Sequence, residues 1–198
     1  MTTSQARDRL LAAAIEQAMR SGIADMSLRE LAAAIGTSHR MLLYHFGSRE
    51  GLLTAVASAV EESQRAEVSE LITAAPADAR CLWQHFSDPR LWPAERLFFE
   101  LYGHALLGRP GTEGFLDNAI EPWVAEIASA LTREAGLDAE TARVEARLAV
   151  AVSRGLLLDL LATGDRPGVT EAFERYLAHT ESGYVRAASQ PAQPGRRT

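Results

Sequence analysis

Residues 26–53 read MSLRELAAAIGTSHRMLLYHFGSREGLL, and this stretch decides the fold. Ser27-Leu28-Arg29-Glu30 has the pattern of a capping box, in which a serine hydroxyl and a glutamate three residues on each accept the other's backbone N–H. Leu28, Leu31, Ala32 and Ile35 follow at helical spacing and give one apolar face. Gly36 stands where the helix must stop and the chain reverse, a place that favours positive φ. Ser38 is a candidate N-cap for a second helix, in which Leu42 and Phe46 lie four apart and face inward. His39, Arg40, Tyr44 and His45 are left for the outer face. Two short helices, a tight turn and a third helix opening at Ser48 make the arithmetic of a helix-turn-helix, whose second helix enters a DNA major groove.

The same geometry assigns roles. Arg40 is the candidate for a guanine edge, because its planar fork matches O6 and N7. His39 and Tyr44 are candidates for bases or phosphates, and His45 either touches DNA or packs against its own domain. Ser27, Ser38 and Arg49 lie at helix N-termini, which favour phosphate, and Thr37 lies in the turn beside them.

These residues resemble the DNA-binding region of the TetR family of bacterial transcription regulators. The matching pieces are the helix Leu28–Ile35, the turn Gly36-Thr37-Ser38, the helix ending Tyr44-His45-Phe46, and Gly47-Ser48-Arg49-Glu50. Arg9–Met19 resembles the family's first helix. Leu43 stands where the family usually has a tyrosine that touches phosphate, and Arg49 where it usually has lysine. Arg40 and Met41 replace smaller residues, which bears on base preference. The resemblance implies a homodimer on double-stranded operator DNA, controlled by a small-molecule effector and acting as a repressor.

Composition sets the outer bounds. The 198 residues are 47% hydrophobic, enough for a real core. Residues 1–50 carry six Arg against five acids, and the rest carry fourteen Arg against twenty-one acids. A near-neutral reading head on an acidic body suits a specific DNA binder, since the body repels DNA elsewhere. Every basic residue is Arg; there is no Lys. Cys81 is the single cysteine, which excludes an intramolecular disulfide and fits a reducing cytoplasm. The start, MTTSQARDRL, has no apolar segment of a signal peptide, and the longest apolar run, Leu148–Leu161, is too short for a membrane span. The expected location is therefore cytoplasmic, on the nucleoid when bound to DNA, with no membrane partner.

Every long segment reads as helix, so the fold class is all-α with about nine helices. The expected division is a helix-turn-helix domain over 1–47, a helical effector-binding and dimerisation domain over 48–188, and a disordered tail over 189–198. The fourth helix is expected to run from Ser48 to about Ala75 and stop before Pro76. Pro93 suits the first turn of another helix, Phe115–Ala135 tolerates Pro122 with a kink or break, and Asp138 caps the most apolar helix. Gly164–Gly168 reads as a turn, with the last helix from about Thr170 to Ala187.

The middle of the chain is rich in aromatics. An ordinary core explains most of them; an apolar effector cavity is the functional alternative, which the resemblance favours. The candidate walls are Trp83, Phe86, Trp92, Phe99, Phe115 and Trp123, with Arg96, Tyr102 and His104 as candidate polar anchors. The run Leu148–Leu161 is apolar nearly all round and needs cover on more than one side. It is either the centre of one core or the seam between two copies, and Gly155 permits close helix approach. The resemblance favours a dimer through the last two long helices, with Leu148, Val152, Gly155, Leu158, Phe173 and Tyr176 as candidates.

Two other classes remain open: an all-helical enzyme using the aromatic pocket with Glu100 or His104, and a helical protein-interaction module. No HExxH, phosphate-binding glycine loop or nucleophile elbow occurs, and Glu100-x-x-x-His104 lacks the second pair of a di-iron bundle. No catalytic residue, metal ligand or cofactor is expected.

Overall fold

The computed structural model describes residues 3–23, 26–74 and 79–188, and all their regular structure is helical. The helices are α1 (Thr3–Ser21), α2 (Leu28–Ala34), α3 (His39–Phe46), α4 (Arg49–Ala74), α5 (Ala79–Phe86), α6 (Trp92–Leu106), α7 (Phe115–Ala119), α8 (Glu121–Ala135), α9 (Ala139–Thr163) and α10 (Arg166–Ala188). The nine expected helices are present, with the one expected over 115–135 broken into α7 and α8. The break falls at Ile120 (φ −120°, ψ −56°), and Pro122 sits in the first turn of α8, where its missing N–H costs nothing.

Local chemistry explains the boundaries. The Ser27 hydroxyl accepts the Glu30 N–H at 3.3 Å, and the Glu30 carboxylate accepts the Ser27 N–H at 2.8 Å, completing the capping box of α2. Gly36 takes φ +69° just after α2, where a side chain would strain the backbone. The Ser38 hydroxyl accepts the Met41 N–H at 3.2 Å and starts α3. Asp138 caps α9 by accepting the N–H groups of Glu140 and Thr141.

One expected boundary is corrected. The last helix begins at Arg166, not at Thr170, because the stretch around Pro167 is helical. Pro167 suits a first turn, and Asp165 accepts the Gly168 N–H at 3.1 Å in front of it. The expected stop of α4 at Pro76 and the expected disordered tail over 189–198 lie outside the described residues.

Packing divides into connected cores. Ala14, Ala18, Leu31, Leu42 and Phe46 of the first three helices close on Leu52, Leu53 and Val56 of α4, as their spacing predicts. Leu97, Phe98 and Leu101 of α6 and Phe115 of α7 enter the same core. Each such fully buried apolar side chain contributes about 1.5–3 kcal/mol, so α6 and α7 help hold the helix-turn-helix in place. A second core joins Trp83 of α5 to Leu157 and Leu160 of α9 and Phe173 and Leu177 of α10. A third joins α8 to α9 through Val124, Ala146 and Val150. Among the described residues, no helix is long and apolar enough to cross a membrane.

Candidate DNA interface and candidate effector cavity

The exposed surface of α3 carries Arg40, Met41, Leu43 and Tyr44, while Leu42 and Phe46 are buried beneath it. Tyr44 is 70% exposed, the most open aromatic ring on the described surface. His39 is half-buried. His45 is half-buried as well, edge-on to Tyr44 at 4.9 Å between ring centres, with a buried Nε2 that has no hydrogen-bond partner. The Arg7 guanidinium of α1 lies 5.1 Å from the Phe46 ring centre and covers that ring's face.

The helix N-termini are organised from within. Ser27 and Ser38 use their hydroxyl oxygens as caps, so α2 and α3 both begin with an ordered first turn. Thr37 is half-buried in the turn, its N–H donated to the Ala32 carbonyl at 2.9 Å. Arg49 is half-buried, and its Nε donates to the Met26 carbonyl at 2.9 Å, tying the start of α4 to the chain just before α2. Its sequence position suggests only a phosphate contact; in the fold it is also a tether. Met41 and Leu43, 40% and 38% exposed, share the exposed surface of α3, although neither was among the residues expected to contact DNA. The available signal was that neither falls on the inward Leu42–Phe46 face.

A cavity of about 320 Å³ opens among α4, α5, α6, α8, α9 and α10. Trp83, Phe86, Phe98, Phe99, Trp123, Phe173 and Tyr176 supply its aromatic wall. Trp83 and Phe173 stack at 4.7 Å between ring centres and 15° between planes, and the Trp83 indole N–H donates to the Thr170 hydroxyl at 3.1 Å. The Trp123 indole nitrogen is buried without a hydrogen-bond partner.

Beside the aromatic wall, Gln64, Arg80, Glu95, Ser153, Arg154 and Thr180 give the cavity its polar character. Glu95 is only 4% exposed and accepts from the Gln64 amide at 3.2 Å. Burial pushes its carboxyl up to about 7, and the Glu67 charge adds to that; the Gln64 hydrogen bond and the more distant Arg154 charge oppose it. The Arg154 guanidinium lies over the Phe98 and Tyr102 rings, 5.4 and 5.6 Å from their centres, and donates to the Ala119 carbonyl. Burial lowers the pKa of Arg154, and the Tyr102 and Glu95 charges together with the Tyr102 hydrogen bond oppose that.

Of the expected effector residues, Trp83, Phe86, Phe99 and Trp123 line the cavity, while Trp92, Arg96, Tyr102, His104 and Phe115 do not. Trp92 turns its indole N–H to the Ser87 carbonyl, and the exposed Arg96 stacks on its ring. Tyr102 stands behind Phe98 and Arg154, His104 sits in the last turn of α6, and Phe115 is buried against Phe98 in the first core. Phe173 and Tyr176, expected at the subunit seam, instead face the cavity, because the inner side of α10 packs on α5 and α9. Leu148, Gly155 and Leu158 are exposed on α9 and Val152 is half-buried, with Val144 extending that outer stripe.

Sequence reasoning missed Gln64, Glu95 and Arg154 as cavity residues. Arg154 had a signal, as a cation inside the apolar run Leu148–Leu161. Glu95 had none, since an acid in a helix's first turn is ordinary. Among the described residues, no cluster of three metal-ligating side chains occurs.

Residues 10–56 match the family model of the bacterial regulatory proteins, tetR family. No curated protein matches the chain significantly in sequence. Several solved structures share its fold. A protein of Pseudomonas aeruginosa PAO1 is 20% identical with a TM-score of 0.70, covering 94% of this chain and 95% of its own. A TetR transcriptional regulator from Legionella pneumophila is 22% identical with a TM-score of 0.68, covering 91% and 97%. The multidrug binding protein EbrR, in a structure complexed with imidazole, is 26% identical with a TM-score of 0.59, covering 88% and 90%.

Proposed function

We propose that the chain is a DNA-binding transcription regulator of the TetR type, a homodimeric repressor released from a palindromic operator by a small molecule in the aromatic cavity; the match of residues 10–56 to the tetR family model supports the DNA-binding part. The observation that carries this reading is the double role of α6. Glu95, Phe98 and Phe99 of that helix line the cavity, while Leu97, Phe98 and Leu101 are packed into the core that holds α1–α4. A ligand that moves α6 must move the base of the reading head, and any such shift favours whichever conformation binds the ligand better. EbrR, a multidrug binding protein of similar fold, supports the reading that the chain takes a small-molecule ligand.

Residues 1–47 act as the DNA-binding domain and residues 48–188 as the effector and dimerisation domain. Arg40 reads a base edge; Tyr44 and His39 contact bases or phosphates; Ser27, Thr37, Ser38 and Arg49 lie along the phosphate backbone. His45 supports Tyr44 from behind, in keeping with their edge-on packing. The exposed α9 stripe of Leu148, Gly155 and Leu158 is the seam for a second copy. Two recognition helices about 34 Å apart would then read half-sites one helical turn apart, or a multiple of it.

Selection of bound fragments from the source genome, followed by sequencing and footprinting, tests the reading. A palindromic site bound by two chains, and released when the cavity is filled, is the expected result. Binding to an asymmetric site by one chain would overturn the dimeric arrangement. No sequence preference at all would overturn the regulator's operator.

A further inference from the structure

The cavity wall holds an acid that no cation touches among the described residues. Glu95 lines the wall almost fully buried, with the Gln64 amide as its hydrogen-bond donor. Among the described residues, no Arg or His nitrogen lies within 4.0 Å of its carboxylate. A buried carboxylate without a cation is unfavourable, so its proton is held up to about 7.

Arg80 lines the same cavity but donates from its Nε to the Glu174 carboxylate at 2.9 Å, and Arg154, which lines it too, is likewise engaged. Two ring faces and the Ala119 carbonyl surround its guanidinium. An incoming anion would compete with those partners and meet the Glu95 and Glu67 charges as well. An incoming cation meets a carboxylate with no cation in contact and a wall that includes the rings of Trp83, Phe86, Trp123 and Phe173, whose π-systems can attract positive charge. A volume of about 320 Å³ is at the small end for ligand sites, with room for about two or three fused rings.

We propose that the cavity selects a compact, flat, lipophilic cation, an aromatic amine or protonated nitrogen heterocycle, whose charge pairs with Glu95 and whose rings lie against the aromatic wall. The inference rests on reading the cavity as an effector site. Pairing ionises Glu95, so the carboxyl proton leaves to solvent as the cation enters.

Calorimetric titration of the full chain in neutral buffer with 2-naphthylmethylammonium, 2-naphthylmethanol and 2-naphthoate isolates the charge, since the ring is the same. The ammonium should bind about tenfold or more tightly than the alcohol, the scale of a hydrogen bond to a charged group. The naphthoate should bind most weakly. Glu95→Gln should erase the advantage of the ammonium and leave the alcohol's affinity unchanged. On the wild-type chain, titration in two buffers of different ionisation enthalpy should show proton release with the ammonium and none with the alcohol. That measurement stands even where the variant fails to fold. Equal affinity of ammonium and alcohol, tightest binding of naphthoate, binding of none of the three, or ammonium affinity indifferent to Glu95→Gln would overturn the ligand class. Glu95-dependent ammonium binding that leaves the operator complex intact would overturn the effector reading alone and uphold the ligand class.

Discussion

The Glu100 carboxylate accepts the backbone N–H of Ile23 at 3.1 Å, joining α6 to the end of α1 across 77 residues of sequence. A hydrogen bond to a charged acceptor is worth about 1.5–3 kcal/mol. Glu100→Ala should therefore destabilise the chain on that scale in urea unfolding, while Glu100→Gln, which keeps an oxygen acceptor, should lose less. The same loss should weaken the response of operator binding to a cavity ligand, because α6 would hold the end of α1 through apolar packing alone. An alanine variant as stable as wild type would show that the bond contributes nothing.

Arg40 and Arg49 should part company on substitution. Arg40 is exposed on α3, so Arg40→Ala should leave the melting temperature unchanged. It should cost about 1–3 kcal/mol in operator binding and relax preference at one base pair per half-site. Arg49 holds the Met26 carbonyl, so Arg49→Ala should lower the melting temperature as well as flatten the salt dependence of DNA binding. Melting curves and binding at several salt concentrations separate the two. A thermally unaffected Arg49→Ala would reduce that residue to a phosphate contact.

Glu95 sets a pH dependence of known sign. Its folded carboxyl titrates at about 7, above the ordinary glutamate range, so the folded chain holds a proton that the unfolded chain has lost. Stability from this group is fully present below the ordinary glutamate range. It falls as the pH rises toward about 7 and stays lost above that. Glu95→Gln removes the effect, so its advantage over wild type should grow across that window toward something on the order of 3 kcal/mol. Parallel stability–pH curves for the two proteins would refute the burial of the charge.

Gly155 offers a test with opposite signs for one copy and two. A Cβ built there meets nothing within 4 Å in the single subunit. Glycine in a helix interior costs roughly 0.5–1 kcal/mol relative to alanine. Gly155→Ala should therefore stabilise an isolated subunit by that amount. Gly155→Leu should drive two copies apart if they meet at the α9 stripe, and specific DNA affinity should fall with it. Sedimentation over a range of concentrations decides; a Leu variant that stays dimeric would move the seam elsewhere.

The sequence discloses what is local. Ser27, Gly36 and Ser38 reveal their roles because caps and positive φ act within four residues of chain. The inward faces of α2, α3 and α4 are legible for the same reason. The cavity is not local. Gln64 and Glu95 meet from 31 residues apart, and Trp83 meets Thr170 from 87. No periodicity says that an acid two places after Pro93 will be buried. Phe173 and Tyr176 show the limit most clearly: their spacing marks one packed face of α10 without saying whether a cavity or a second copy packs against it.

The placement of the three tryptophans has a spectroscopic consequence. Trp83 and Trp123 line the cavity and Trp92 packs beside it, while α1–α4 contain no indole among their residues. Intrinsic indole emission therefore comes wholly from the part of the molecule that encloses the cavity. A compound entering the cavity changes the surroundings of two emitters at once, whereas DNA docked on α3 as proposed would meet only tyrosine, at Tyr44. The native chain is thus its own two-channel reporter. A spectral change on adding operator alone is a direct optical reading of movement passed from the DNA end to the cavity, with no label attached.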